Sequence, residues 1–190
     1  MLGLARQTDP GWAKAALADV GELLRDHAHC EKKAAASALS IVAHHPEHPE
    51  LAGPLVALAQ EETRHFFRVL AELERRALRL GRTPADPYAR ALASRVSADG
   101  SARLRDRLLV AALIEARSCE RFSLLADTSD DPRLRRLWGD LFRAEAGHHA
   151  LFLKLAAGVG GQAAARARLA ALAIEEGELV ASLPLRTAIH

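Results

Sequence analysis

Apolar residues recur at three- and four-residue intervals along most of the chain, as they do on helices that bury one face. From about Glu22 to His45 the stripe is Leu24, Ala28, Ala35, Ala38 and Val42, and Pro46 and Pro49 close it. A second helix is predicted from Pro54 to about Leu80, with Leu55, Leu58, Val69 and Leu73 on one face and Gly81 as its stop. A third covers about Ala102 to Ala126. After the turn Asp127–Asp131, a fourth opens at Pro132 and runs to about Ala157. Shorter elements flank these. Asp9-Pro10-Gly11-Trp12 reads as a helix start, with Gly21 a break or bend after it. Gly158-Val159-Gly160-Gly161 interrupts the chain before a last helix from about Gln162 to Leu183.

The spacing between the long helices carries topology. Their connections are short, long, short, and the long one, Arg82–Ser101, holds a helical patch around Tyr88–Val96. That is the outline of an all-α, ferritin-like four-helix bundle with one long crossover and additional short N- and C-terminal helices. We expect a single ferritin-like domain over residues 1–190, with its four-helix core at about 22–157 and a C-terminal helix at about 162–183.

Composition agrees and narrows the class. Only eight of 190 residues are aromatic, and Ala, Leu and Arg far outnumber Val, Ile and Thr, a mixture that fills helices and starves strands. The net charge of +2 does not by itself announce a nucleic-acid binder, although 22 of the 26 cations are Arg, whose planar guanidinium suits phosphate. Cys30 and Cys119 lie in helical patterns with no C-x-x-C arrangement and read as small apolar residues in a reducing compartment. No stretch has the length and apolarity of a membrane span, and the N-terminus has no basic region followed by an apolar run. A cytoplasmic location follows as an expectation.

Two Glu-x-x-His motifs, Glu62-Thr63-Arg64-His65 and Glu145-Ala146-Gly147-His148, place a carboxylate and an imidazole one turn apart on one helix face. With fourteen Glu and nine His in the chain, about one such motif is expected by chance, and two would not be surprising. What precedes each motif is more specific. Glu31 lies 31 residues before Glu62, and Glu115 lies 30 residues before Glu145, so each half offers one helix with a Glu and a second with Glu-x-x-His. Four Glu and two His from four helices form the ligand set of di-iron and di-manganese carboxylate proteins. All six fall on apolar stripes: Glu31 with Leu24 and Ala28, Glu62 and His65 with Leu58 and Val69, Glu115 with Leu108, Ala112 and Cys119, Glu145 and His148 with Leu141 and Phe152. Buried carboxylates cost several kcal/mol unless a cation compensates them.

Other acids and histidines compete less well. Glu120 sits about 140° around the helix from Glu115, beside Arg117, and only 25 residues before Glu145. Glu61 points off the stripe toward Arg64 and Arg68. His149 is a neighbour of a ligand or a surface residue, and His27, His29, His44, His45 and His48 lack ligand spacing and read as mostly solvated.

Several longer stretches resemble one known family. They are Asp26-His27-Ala28-His29-Cys30-Glu31-Lys32-Lys33, His45-Pro46-Glu47-His48-Pro49-Glu50-Leu51, Glu61-Glu62-Thr63-Arg64-His65-Phe66, Ile114-Glu115-Ala116-Arg117-Ser118-Cys119-Glu120-Arg121-Phe122, and Glu145-Ala146-Gly147-His148-His149. From about Asp9 to Leu155 the chain is similar to the tRNA hydroxylases that act on 2-methylthio-N6-isopentenyladenosine beside the anticodon. The resemblance implies two non-haem iron ions, O2 as co-substrate, an external electron donor such as a ferredoxin, and the tRNA anticodon loop as partner. It places the ligands on Glu31, Glu62, His65, Glu115, Glu145 and His148. Two positions depart from the family pattern: Gly147, where a long polar residue is usual, and Ala144, where Ser is usual. Gly147 also removes a side chain expected near the metal. Arg75, Arg76, Arg79 and Arg82, and Arg103, Arg105 and Arg107, are the candidate RNA contacts, although each cluster reads more readily as solvated charge at a helix end. The competing readings are a ferritin-like peroxidase or oxidase on another substrate, and a non-catalytic iron-binding bundle.

Overall fold

The Asp19 carboxylate accepts a hydrogen bond from the Glu22 N–H, and from that cap helix α2 runs unbroken from Val20 to His44. The computed structural model describes residues 2–190, the Ser101 side chain aside; Met1 of the expected domain lies outside them. Its elements are α1 (Trp12–Leu17), α2 (Val20–His44), a 3-10 turn (Pro49–Leu51), α3 (Ala52–Arg75), α4 (Pro87–Ala93), α5 (Gly100–Thr128), α6 (Pro132–Gly160) and α7 (Gln162–Ser182). Among the described residues there is no strand.

Two compact units divide the chain. One contains residues 16–85 and 187–189, and its frame is the hairpin of α2 and α3. Leu23, Leu24, Ala28 and Ile41 of α2 and Leu55, Leu58, Val69 and Leu73 of α3 are buried in it. Ala188 and Ile189 are buried as well, and the Ile189 N–H donates to Asp26 Oδ2 at 2.6 Å.

The end of α3 differs from the expectation. The helix stops at Arg75, several residues before Leu80, and Gly81 is not its cap. Ala77 takes the left-handed conformation (φ 56°), with Ala77 N–H donating to Glu74 O and Leu78 N–H to Leu73 O. This is a Schellman closure built on Ala where Gly is usual, so the composition gave no signal. Gly21 likewise is not a break; it lies in the first turn of α2, where a Cβ would come within 3.1 Å of Leu78 Cδ1.

The other unit comprises the N-terminal segment through Ala15, residues 86–186 and His190. Here α5 pairs with α6 along their lengths, and α7 packs on both. Leu108, Ala112, Leu113, Phe122, Trp138, Leu141 and Phe152 fill the interior. Helix α6 continues through Gly158 and Gly160, contrary to the expected break at 158, and ends only at Gly161. There φ 80° and ψ 142° fall in a region open essentially to Gly alone. The C-terminal helix, which the sequence left unassigned to any surface, is a packed element of this unit.

Candidate metal centre

In the α2–α3 unit, Glu31 projects from mid-α2, and Glu62 and His65 project from one face of α3; all three are buried. One ligand atom from each lies within 4.8 Å of the others. His65 Nδ1 is 3.5 Å from Glu62 Oε2 and 3.7 Å from Glu31 Oε2. The other Glu31 oxygen is taken by a residue absent from the expected set: His27, fully buried one turn earlier on α2, lies with Nε2 2.7 Å from Glu31 Oε1. His27 and His29 are not solvated as expected; both are buried, while His44, His45 and His48 are exposed or half-buried. The i, i+4 spacing of His27 and Glu31 was the available signal.

The charges in this cluster oppose one another. Burial pushes the Glu31 carboxyl well above the usual carboxylate range; the His65 hydrogen bond opposes this, and Glu62 adds repulsion. Burial lowers His65, but Glu31 and Glu62 outweigh it and raise the imidazole to about 9. His27 is held down to about 3, chiefly by burial and then by His65. Two carboxylates and an imidazole crowded into a low-dielectric site form a donor set that a cation relieves.

The α5–α6 unit repeats the arrangement. Glu115 from α5 and Glu145 and His148 from α6 are buried, with ligand atoms within 4.8 Å of one another. His148 Nδ1 is 3.3 Å from Glu145 Oε2. Burial, followed by Glu145 and Glu115, pushes the Cys119 thiol up to about 12, so the carboxylates' field reaches the next turn of α5. His149 is buried, not on the surface, and is fixed by a 2.8 Å hydrogen bond between Nδ1 and the Ala112 carbonyl.

Glu120 has another task. It accepts from Thr8 N–H, Thr8 Oγ1 and Arg117 Nη1, remote in role from any ligand. Gly147 is exposed, and a Cβ there would meet nothing within 4 Å. Its departure from the family pattern therefore removes surface, contrary to the expectation of a missing neighbour of the metal. The two cysteines are free thiols, Cys119 buried and Cys30 half-buried.

The elements and their chemistry thus define an all-helical protein with a Glu plus Glu-x-x-His set in each of two units, the pattern of carboxylate-bridged metalloproteins. Comparison with known proteins agrees and goes further. The family model described as tRNA-(MS2IO6A)-hydroxylase (MiaE) matches residues 2–190. A tRNA 2-(methylsulfanyl)-N(6)-isopentenyladenosine(37) hydroxylase of Pseudomonas putida is 42% identical over 156 residues, covering 82% of this chain and 76% of its own. One of Salmonella typhimurium is 36% identical over 107 residues, 56% of this chain and 39% of its own. Among solved structures, Protein 43 with aldehyde deformylating oxygenase activity from Synechococcus superposes with a TM-score of 0.93 at 38% identity, covering 98% of this chain and 94% of that one. The fold class is the ferritin-like helical one. The chain belongs to the MiaE family of tRNA hydroxylases, a family of enzymes.

Proposed function

We infer that this protein hydroxylates the isopentenyl side chain of 2-methylthio-N6-isopentenyladenosine next to the anticodon of tRNA. The observation that carries the reading is membership of the hydroxylase family over residues 2–190, joined to burial of Glu31, Glu62, His65, Glu115, Glu145 and His148. These six residues are the proposed ligands of two non-haem irons, and residues 1–190 are proposed to work as one domain.

When bound, the iron pair supplies O2 activation, which no side chain provides, for attack on an unactivated C–H bond. The balance is that of a monooxygenase. One oxygen atom enters the C–H bond, the other leaves as water, and two electrons and two protons are consumed. An external donor, a redox protein of the ferredoxin kind, would deliver the electrons. The protein's own residues do the rest. The carboxylates offset metal charge, and His27 holds one oxygen of Glu31 so that the other faces His65 and Glu62. Apolar neighbours such as Leu58, Val69, Leu141 and Phe152 keep the surroundings dry. The substrate lies in a single-stranded loop, so presenting its apolar tail requires no base to be pulled from a duplex. Among the described residues no helix is long and apolar enough to cross a membrane. A tRNA substrate places the enzyme in the cytoplasm.

The test is mass spectrometry of tRNA nucleosides from cells with and without the gene. Loss of the hydroxylated nucleoside with accumulation of its unhydroxylated precursor is expected. An unchanged nucleoside profile, with turnover of an aldehyde by the iron-loaded protein, would instead assign the activity named for the Synechococcus structure.

A further inference from the structure

The structure sorts the cations that the sequence offers. Arg75 and Arg76 both pair with Glu72, and Arg105 pairs with Asp106. Three of the seven arginines in the two expected RNA-facing clusters thus have a carboxylate beside them. Within the α2–α3 unit, Lys32, Arg79 and Arg82 are exposed and have no carboxylate partner among the described residues.

These three cations sit on a fixed ledge. Segment 79–83 is bound against α2 at two points: Arg25 Nε donates to the Arg79 carbonyl at 2.9 Å, and Lys32 Nζ donates to Thr83 Oγ1 at 2.9 Å. Lys32 Nζ also donates to Nδ1 of the buried His29 at 3.0 Å, and Thr83 Oγ1 lies 3.2 Å from the same nitrogen. A lysine ammonium is usually a mobile, strongly hydrated charge. Here neutral acceptors hold it in place, so its charge is positioned without being cancelled.

We propose that Lys32, Arg79 and Arg82, on the ledge that segment 79–83 forms against α2, bind the backbone phosphates of the RNA loop that carries the substrate nucleotide. This proposal rests on the tRNA reading above and adds the contact surface to it. Lys32 directly follows Glu31, and successive helix residues point about 100° apart. The cation thus lies on the flank of the same turn whose carboxylate faces inward. Phosphate contacts on that flank would set the register of the RNA, while the modified base supplies the specificity. An acidic electron-transfer protein could also meet a basic ledge. The RNA is favoured because a substrate must reach contact distance of the residues around Glu31, whereas an electron donor need not.

The experiment measures affinity of the full-length protein for a synthetic anticodon stem-loop bearing the modified adenosine, across a range of salt concentrations. Replacing Lys32 and Arg82 together by Ala should weaken binding about tenfold at low salt and flatten the dependence of log K on log salt by about two contacts. Lys32→Gln with Arg82→Gln, which keeps hydrogen-bonding capacity toward Thr83, should give the same loss. Arg75→Ala with Arg143→Ala removes equal charge from cations already paired with Glu72 and Asp140 and should change little. Wild-type affinity and slope in both Lys32/Arg82 variants would overturn the ledge and leave the tRNA reading standing. So would an equal loss in the Arg75/Arg143 control. Unchanged RNA binding with slower reduction by an acidic electron-transfer protein would overturn it in favour of that partner. Failure of the wild-type protein to bind the stem-loop would overturn both readings.

Discussion

The guanidinium of Arg117 and the carboxylate of Glu176 meet with no solvent exposure on either side chain, Nε on Oε1 and Nη2 on Oε2, each at 2.8 Å. This bidentate pair binds α7 to α5 and is fully partnered. Tyr88 Oη donates to Glu176 Oε1, and Arg117 also donates to Thr8 Oγ1, Glu120 and the Arg6 carbonyl. Removing one member of such a buried pair costs about 3–5 kcal/mol, because the other charge is stranded. Glu176→Ala should therefore lower the denaturant midpoint sharply, and Tyr88→Phe should cost about 1 kcal/mol. Equilibrium denaturation followed by circular dichroism reads both. A Glu176→Ala protein as stable as wild type would contradict the account.

Two glutamates five residues apart on α5 are expected to behave in opposite ways. Glu115→Ala should abolish iron binding and hydroxylation. Glu120→Ala should retain a coloured iron centre while losing stability, since its partners are Thr8 and Arg117. Metal analysis and the visible spectrum after anaerobic Fe(II) loading and O2 exposure separate the two. The reverse pattern would remove Glu115 from the ligand set.

His27 is expected to act on the metal through Glu31. Replacing a hydrogen-bonding neighbour of a ligand typically costs 10–100-fold in metal affinity. His27→Leu should show such a loss in a Co(II) titration. His27→Gln, whose amide reaches a similar position, should recover much of it. Equal affinity in the Leu variant and the wild type would reduce His27 to a packing residue.

The metal-free protein should lose stability as pH rises above 6.5. His65, raised to about 9 in the fold, stabilises fully below its unfolded value of 6.5, and that contribution fades as pH rises toward 9. His27, held down to about 3 and so neutral in the fold, acts on the other side. Below pH 6.5 the unfolded chain takes up a proton there that the fold refuses, while the raised Glu31 carboxyl takes one up in the fold and opposes that loss. Denaturant midpoints from pH 6.5 to 9 should trace that decline. Iron loading should remove the alkaline decline, because the metal then replaces the proton on His65. A metal-free stability that climbs from pH 6.5 to 9 would be the wrong sign.

The long helices and the grouping of the six residues within their units were legible because both rest on short-range periodicity. An i, i+3 motif must share a face, and an apolar stripe must be buried. Features that depend on distant partners were not legible. Arg117 and Glu176 are 59 residues apart, and each alone reads as a solvated charge on a helix. The left-handed Ala77 escaped because the hydrogen bonds of the closure, and not the residue type, select that conformation. The run 158–160 was misread because glycine only weakens a helix, by about 1 kcal/mol per residue, and packing against α5 can override it.

The burial of Ile189 and its hydrogen bond to Asp26 have a practical consequence for handling this protein. Ala188 and Ile189 belong to the interior of the α2–α3 unit, and Ile189 grips α2 five residues before Glu31. A substitution or deletion at these two residues would perturb the helix that supplies Glu31 and Lys32. Metal and RNA measurements therefore call for protein in which Ala188 and Ile189 are intact.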